Sequence, residues 1–266
     1  MCQIKQLQNP CSHSRETAKK GGGCLGWLTG IVATISVTIG GVTVVFDNQV
    51  DNFLMSVNTQ YFSSDARIMQ TARNTVKVVA CPDTACLEPY YGSGVIIQLE
   101  GQLRVLTALH VIKNAQEIKV WFSDPDPYSK PNSEKTNVEL VKQRTELDVA
   151  LLRFCFSGSC PDRGGVPIGD SDVFENSSDT QLELFGFPLK KGQTLSRKQL
   201  NFAGYETKNA ISRAYIRTNK KISGGYSGGP AINTSGELIG IALSDRTGAG
   251  TGILLTSNRI KEFLWK

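Results

Sequence analysis

Histidine is scarce in this chain: the 266 residues include two, His13 and His110. His13 lies in a polar N-terminal tail, so any chemistry of a folded domain that needs an imidazole falls to His110. Tandem repeats and heptads are also missing, which removes solenoids and coiled coils from consideration. Excess charge is small once it is located. The formal net charge is +5, but residues 1–24 carry Lys5, Arg15, Lys19 and Lys20 against Glu16 alone, a net +3, which leaves only +2 for everything after them. So small a balance gives no reason to expect a nucleic-acid partner, because such surfaces cluster Lys and Arg on one face.

Charge is absent altogether from residues 25–46, a run rich in Ile, Val, Thr and Gly. A helix needs about 20 mostly apolar residues to cross a hydrocarbon core. Its Ser and Thr hydroxyls can bond to carbonyls one turn back, and its glycines are tolerated better there than in water. A strand of this length would far exceed the usual span of about 3 to 10 residues. A cleaved signal peptide has an apolar region of about 7 to 15 residues ending in a small-residue site. This run is longer, and Asp47-Asn48-Gln49-Val50-Asp51 follows it with no Ala-x-Ala. Residues 25–46 are therefore expected to form one transmembrane helix. The basic tail on one side and Asp47 and Asp51 on the other place residues 1–24 in the cytoplasm and the remainder outside the cytoplasm, by the positive-inside rule.

Cysteine placement agrees with that topology. Cys2, Cys11 and Cys24 precede the apolar run, whereas Cys81, Cys86, Cys155 and Cys160 follow it, as two pairs with identical four-residue gaps. The outer four would meet an oxidising compartment. Three connectivities are possible, and turn residues inside each gap favour local closure, Cys81 with Cys86 and Cys155 with Cys160. A loop so short would contribute only about 2 kcal/mol. A zinc site is the rival reading, since ligand spacing can stretch to this gap.

Residues 47–73 are polar and read as a tether with one helical turn near residues 65–70. Short β-rich runs separated by Gly, Pro, Asn and Asp follow, six before about residue 154 and six more from Leu182 to Leu255. The last residues, from Ser257 to Trp265, read as a capped amphipathic helix with Ile260, Phe263 and Leu264 on one stripe. Only 39 residues follow Ser227. They suffice for the remaining strands and the helix, and no appended peptide-binding domain is expected.

Three segments carry the chemistry. Gly225-Tyr226-Ser227-Gly228-Gly229-Pro230 presents a serine beside backbone donors. Leu106-Thr107-Ala108-Leu109-His110 supplies an imidazole, and Asp148, opening Val149-Ala150-Leu151-Leu152, supplies a carboxylate that would hold it in its useful tautomer. Singly, each has a plain structural explanation: a glycine turn, a satisfied core histidine, a strand-capping aspartate. Together, in the order His, Asp, Ser, they resemble the trypsin and chymotrypsin-like serine peptidases. The similarity covers residues 70 to 266. Tyr226 departs from the digestive members, which carry an aspartate there to pair with a new N-terminal amine. The pattern is closer to the bacterial Deg/HtrA and glutamyl-endopeptidase branches.

The resemblance implies an all-β fold of two six-stranded antiparallel β-barrels with a C-terminal helix, following the transmembrane helix. The expected organisation is a cytoplasmic tail (1–24), the anchor (25–46), a linker (47–73) and a protease domain (74–266) whose barrels span about 74–165 and 166–266. It implies a triad of His110, Asp148 and Ser227, an oxyanion hole from the N–H groups of Gly225 and Ser227, peptide or protein substrates, and no cofactor or metal. The specificity pocket would be lined by Ser244, Asp245 and Gly252. Lys221, six residues before the serine, occupies the place that often forms the pocket floor, although a solvated loop lysine is the plainer reading. The alternatives are a protease fold that binds peptides without cutting them, and an acyl or ester hydrolase.

Overall fold

The computed structural model describes residues 65–122, 135–154, 163–175, 180–189, 194–208, 211–243 and 250–266. The expected transmembrane helix at 25–46, the tail before it, Cys155, Cys160, Ser244 and Asp245 lie outside the described residues. Among the described residues no helix is long and apolar enough to cross a membrane.

Helix α1 (Ala66–Arg73) occupies the end of the tract read as a tether and is longer than the single turn expected there. Asp65 caps it by accepting the N–H of Arg67 at 3.0 Å. Ile68, Thr71 and Ala72 are buried, and the Arg67 guanidinium donates to the Thr234 carbonyl. Side-chain burial and that contact dock the helix on the domain, which the polar composition of the tract had hidden.

The first sheet contains β1 (Thr75–Cys81), β2 (Tyr90–Leu99), β3 (Gln102–Ala108), β4 (Glu117–Trp121), β5 (Lys135–Asn137), β6 (Glu139–Arg144) and β7 (Val149–Arg153), with the short helix α2 (Leu109–Ile112) between β3 and β4. Its strand order is β5-β4-β1-β2-β3-β7-β6. This corrects the expected closed six-stranded barrel to a seven-stranded sheet. The two edge strands are consecutive in sequence and are separated only by Val138, whose N–H donates to the Ile118 carbonyl at 3.1 Å. One bent segment thus supplies both edges, pairing first with β4 and then with β7, and it cannot form a ladder with itself.

The second unit matches the expectation of a closed barrel. It is built from β8 (Gln181–Gly186), β9 (Ser196–Lys208), β10 (Ile211–Thr218), β11 (Pro230–Ile232), β12 (Leu238–Leu243) and β13 (Gly252–Thr256), in the order β10-β13-β12-β11-β8-β9. Helix α3 (Ser257–Trp265) follows and buries Ile260, Phe263 and Leu264, the stripe read from the sequence. Its expected side-chain cap is not formed. Thr256 Oγ1 instead reaches the carbonyls of Arg213 and Ala214, and Ser257 Oγ reaches that of Gly169 at 2.9 Å. These hydroxyls tie the helix start to the barrel.

Buried residues of both sheets, among them Ile96, Leu106 and Leu152 from the first and Phe185, Ile241 and Leu255 from the second, join in one core. Each such side chain contributes about 1.5 to 3 kcal/mol by leaving water. That shared core fixes β2 and β3 against the loop between β10 and β11, where the serine lies.

Candidate active site

His110 is the second residue of α2, directly after the buried strand β3, and its side chain is 26% exposed. Asp148 holds this segment at three points. Its Oδ2 lies 2.7 Å from His110 Nδ1, its Oδ1 accepts the His110 backbone N–H at 2.8 Å, and its carbonyl accepts the Leu109 N–H at 3.0 Å. The backbone explains how one residue does this. A 3₁₀ turn (Thr145–Leu147) ends at Asp148 in the left-handed region, φ 57° and ψ 47°, a conformation that aspartate tolerates better than most residues. That twist turns carbonyl and carboxylate toward the same neighbour. With Oδ2 facing Nδ1, the ring carries its proton on Nδ1 and leaves Nε2 as an acceptor.

Ser227 is buried, on the loop between β10 and β11. Its carbonyl accepts the N–H of Ser93 on β2 at 2.8 Å. Gly228 follows with φ 85°, and a Cβ there would stand 2.1 Å from Ser93 O and 2.9 Å from Ala108 N, so no side chain fits. The serine loop is thereby pressed against the end of β3, two residues before His110. Gly228 N and Gly229 O pair with Ala242 on β12 at 2.7 and 2.8 Å, fixing the loop from the barrel side.

Gly225 adopts φ 93°, where a Cβ would fall 2.3 Å from the Phe187 carbonyl. Around it the amides divide. Tyr226, Gly228 and Gly229 donate to the carbonyls of Ser223, Ala242 and Tyr226. Those of Gly225 and Ser227 donate to no backbone carbonyl among the described residues. These are the two N–H groups that the sequence suggested for an oxyanion hole.

Other candidates stand elsewhere. Lys221 is exposed on the loop after β10, and its carbonyl accepts from Lys198 Nζ. The next side chain, Ile222, is buried and faces Gly252, where a Cβ would lie 2.4 Å from Ile222 Cγ1. Tyr226 is buried in an apolar cluster with Leu184, Ile216 and Leu254, and burial pushes its phenol up against the smaller effect of a hydrogen bond to Ser196. Cys81 and Cys86 are joined in a disulfide.

Two residues escaped the reading of the sequence. Ser93, fully buried, donates its hydroxyl proton to Gly225 O at 2.7 Å and accepts the Phe187 N–H at 2.9 Å, while its own carbonyl accepts Thr107 Oγ1 at 2.7 Å. The signal was present in Gly92-Ser93-Gly94, because glycines inside a strand mark close backbone approach. Lys77 on β1 is 2% exposed with its ammonium 4.4 Å from the Tyr91 ring and 5.0 Å from that of Trp121. Burial lowers its pKa to about 8.

The family model for the trypsin-like peptidase domain matches residues 92–241, more than half of the chain. This chain belongs to that family. Its curated relatives are of the Deg/HtrA kind. It is 27% identical over 247 residues to the "probable periplasmic serine endoprotease DegP-like" of Buchnera aphidicola, covering 86% of this chain and 46% of that protein. It is 31% identical over 182 residues to the periplasmic serine endoprotease DegP of Escherichia coli, covering 64% and 34%. The chain thus spans less than half the length of these two relatives. Among solved structures it is similar to the HtrA-type protease AlgW with a tripeptide, at TM-score 0.58 and 23% identity over 74% of this chain and 60% of that one. The serine endoprotease from Yersinia pestis gives TM-score 0.55 at 25% identity, over 74% and 63%.

Proposed function

We propose that this protein is a serine endopeptidase that hydrolyses peptide bonds through His110, Asp148 and Ser227, in a catalytic domain held outside the cytoplasm by the span at 25–46. The observation that carries the reading is the double grip of Asp148 on His110, through ring nitrogen and backbone amide at once. His110 Nε2 takes the proton of Ser227 Oγ as that oxygen adds to the substrate carbonyl. The tetrahedral oxyanion receives the N–H groups of Gly225 and Ser227, each worth about 3 to 4 kcal/mol in the transition state. His110 then gives the proton to the leaving amine, the acyl-enzyme remains on Ser227, and water adds by the same steps in reverse. Asp148 stays ionised and stabilises the imidazolium.

The organisation proposed with it is a cytoplasmic tail (1–24), the span (25–46), a linker (47–73) whose last stretch, α1, packs on the domain core, and the protease domain (74–266). Its support is the charge asymmetry across the span, the Cys81–Cys86 disulfide, which suits an oxidising compartment, and the periplasmic naming of the relatives. The same compartment would close Cys155 with Cys160. Specificity is assigned to the segment holding Ser244, Asp245 and Gly252. Lys221 is set aside as a floor residue because it is exposed while Ile222 fills the space beside Gly252.

A fluorophosphonate probe tests the chemistry. The wild-type chain is expected to label at Ser227 and to degrade fluorescein-labelled casein, and Ser227→Ala and His110→Ala are expected to do neither while melting as cooperatively as wild type. Substantial turnover by purified Ser227→Ala refutes the assignment. An unlabelled but folded wild type points to a binding module.

A further inference from the structure

Ser93 lies on β2, in the sheet opposite the serine loop, yet four of its hydrogen bonds determine how that loop faces a substrate. A trans peptide is planar, so the carbonyl of one residue and the N–H of the next point in opposite directions. The direction of the Gly225 N–H is therefore set by the Gly224 carbonyl, and that of the Ser227 N–H by the Tyr226 carbonyl. Gly224 O accepts from Leu189 N at 3.3 Å and Tyr226 O from Gly229 N at 2.8 Å. The peptide between these two carries Gly225 O, and its acceptor bond comes from the Ser93 hydroxyl at 2.7 Å.

The same hydroxyl accepts the Phe187 N–H at 2.9 Å, two residues before Leu189. One oxygen thus anchors both the middle plane of the turn and the strand end that holds its first plane. The Ser93 backbone N–H takes Ser227 O at 2.8 Å, and Thr107 Oγ1, on the strand leading to His110, fixes Ser93 O at 2.7 Å. A hydroxyl has one proton to donate and lone pairs to accept with. Both are used here, and the site is fully buried, so water cannot replace the side chain.

We propose that Ser93 is a positioning residue that sets the register between the oxyanion-hole amides and the sheet bearing His110. This rests on the peptidase reading above and extends it to the residue that aims the donors. Alanine at 93 leaves Gly225 O and Phe187 N without their partner, so the turn can rotate. The substrate's ground state, bound in the cleft, is indifferent to that rotation, whereas the developing oxyanion is not.

The test uses the full chain with Ser93→Ala and Ser93→Cys, the latter keeping a weaker donor of similar shape. For Ser93→Ala, kcat on fluorescein-labelled casein and the rate of fluorophosphonate labelling are expected to fall together, by roughly tenfold to a hundredfold, below the 10²- to 10³-fold loss from removing a donor outright. KM should stay within about twofold, as for an interaction made only in the transition state. The pH profile should keep its shape, because His110 and Asp148 are untouched, and Ser93→Cys should be intermediate. A merely structural role would instead lower the folded fraction and leave the labelling rate per folded molecule unchanged. That result, or a loss confined to KM, overturns the proposal. If Ser93→Ala does not fold, Ser93→Cys with wild-type kcat and labelling rate overturns it equally. A wild type inert to fluorophosphonate removes the peptidase reading and this inference with it, whereas an active wild type beside an equally active Ser93→Ala removes this inference alone.

Discussion

Asp148→Asn separates the chemistry of this site from its architecture, because the two carboxylate oxygens do different work. Oδ1 accepts the His110 backbone N–H and Oδ2 faces Nδ1. Asparagine keeps an oxygen for the first bond and tolerates the left-handed backbone at φ 57°. Its amide nitrogen must then face Nδ1, and since it can only donate, the ring moves its proton to Nε2, where it can no longer accept one from Ser227. The wrong tautomer costs roughly 10⁴-fold in kcat, about 5.4 kcal/mol at about 1.36 kcal/mol per decade. Stability should change far less. One charge-assisted hydrogen bond becomes a neutral one, a loss of about 1 kcal/mol, which lowers Tm by about 2 to 4 °C in a domain of this size. Asp148→Ala loses both oxygens and adds about 1 to 2 kcal/mol for a side chain forced into left-handed geometry. The two variants should therefore be almost equally inactive and clearly different in Tm. Casein turnover at neutral pH and scanning calorimetry read these quantities. Asp148→Asn retaining more than about a tenth of wild-type kcat would contradict a tautomer-fixing role, for which the loss is about 10⁴-fold.

Two further variants probe the scaffold. Glu183 is buried and accepts from Arg197 Nε and Nη2, each at 2.7 Å. Arg197→Ala should therefore destabilise by about 3 to 5 kcal/mol in denaturant titrations, while Glu183→Gln with Arg197→Met recovers most of it; no recovery in the double variant would show that the charge is not the cause. Lys77 has its pKa lowered from 10.5 to about 8 by burial, so between those values the unfolded chain binds more protons than the folded one and stability rises with pH. Wild type should gain on Lys77→Met by about 2 to 3 kcal/mol from pH 8 to 10.5, with the penalty fully present below 8, and parallel stability curves would disprove it.

Much of the site was legible because its parts are encoded in short segments. The strand ending in His110, the aspartate before an apolar run and the glycines flanking Ser227 each follow local rules of alternation, turn chemistry and backbone space. What escaped is non-local. Ser93 is a small hydroxyl residue in a strand, and its flanking glycines mark a close backbone approach without revealing that Gly225 and Phe187 converge on it from 132 and 94 residues away. The seven-stranded order of the first sheet was hidden for a related reason. Strand counting finds the segments around residues 135 to 144 but not that one bent stretch serves both edges. The cap expected at the start of the last helix is not formed because the hydroxyls there, Thr256 and Ser257, reach carbonyls of Ala214 and Gly169 instead, a tertiary partner outcompeting a local one. For Lys221, spacing from the serine offered a place on the pocket floor beside the plainer reading of a solvated loop lysine, and spacing does not say which of two adjacent residues turns inward.

The departure at Tyr226 fits with these observations. In the digestive members an aspartate at that position pairs with a new N-terminal amine. Here the side chain is a phenol buried among Leu184, Ile216 and Leu254, a group neutral by nature whose pKa burial raises further, and an ammonium group would find no counter-charge in it. The turn is organised by other means. Leu189 N, the Ser93 hydroxyl, Gly229 N and Ser93 N take the carbonyls of four successive residues, Gly224 to Ser227, and Ala242 closes the far side. Two of the four bonds come from Ser93 on β2, a strand fixed by the shared core, so the geometry of the turn depends on the packing of the two sheets. A shift of β2, or of residues 187–189 after β8, would therefore reach both proposed oxyanion donors at once.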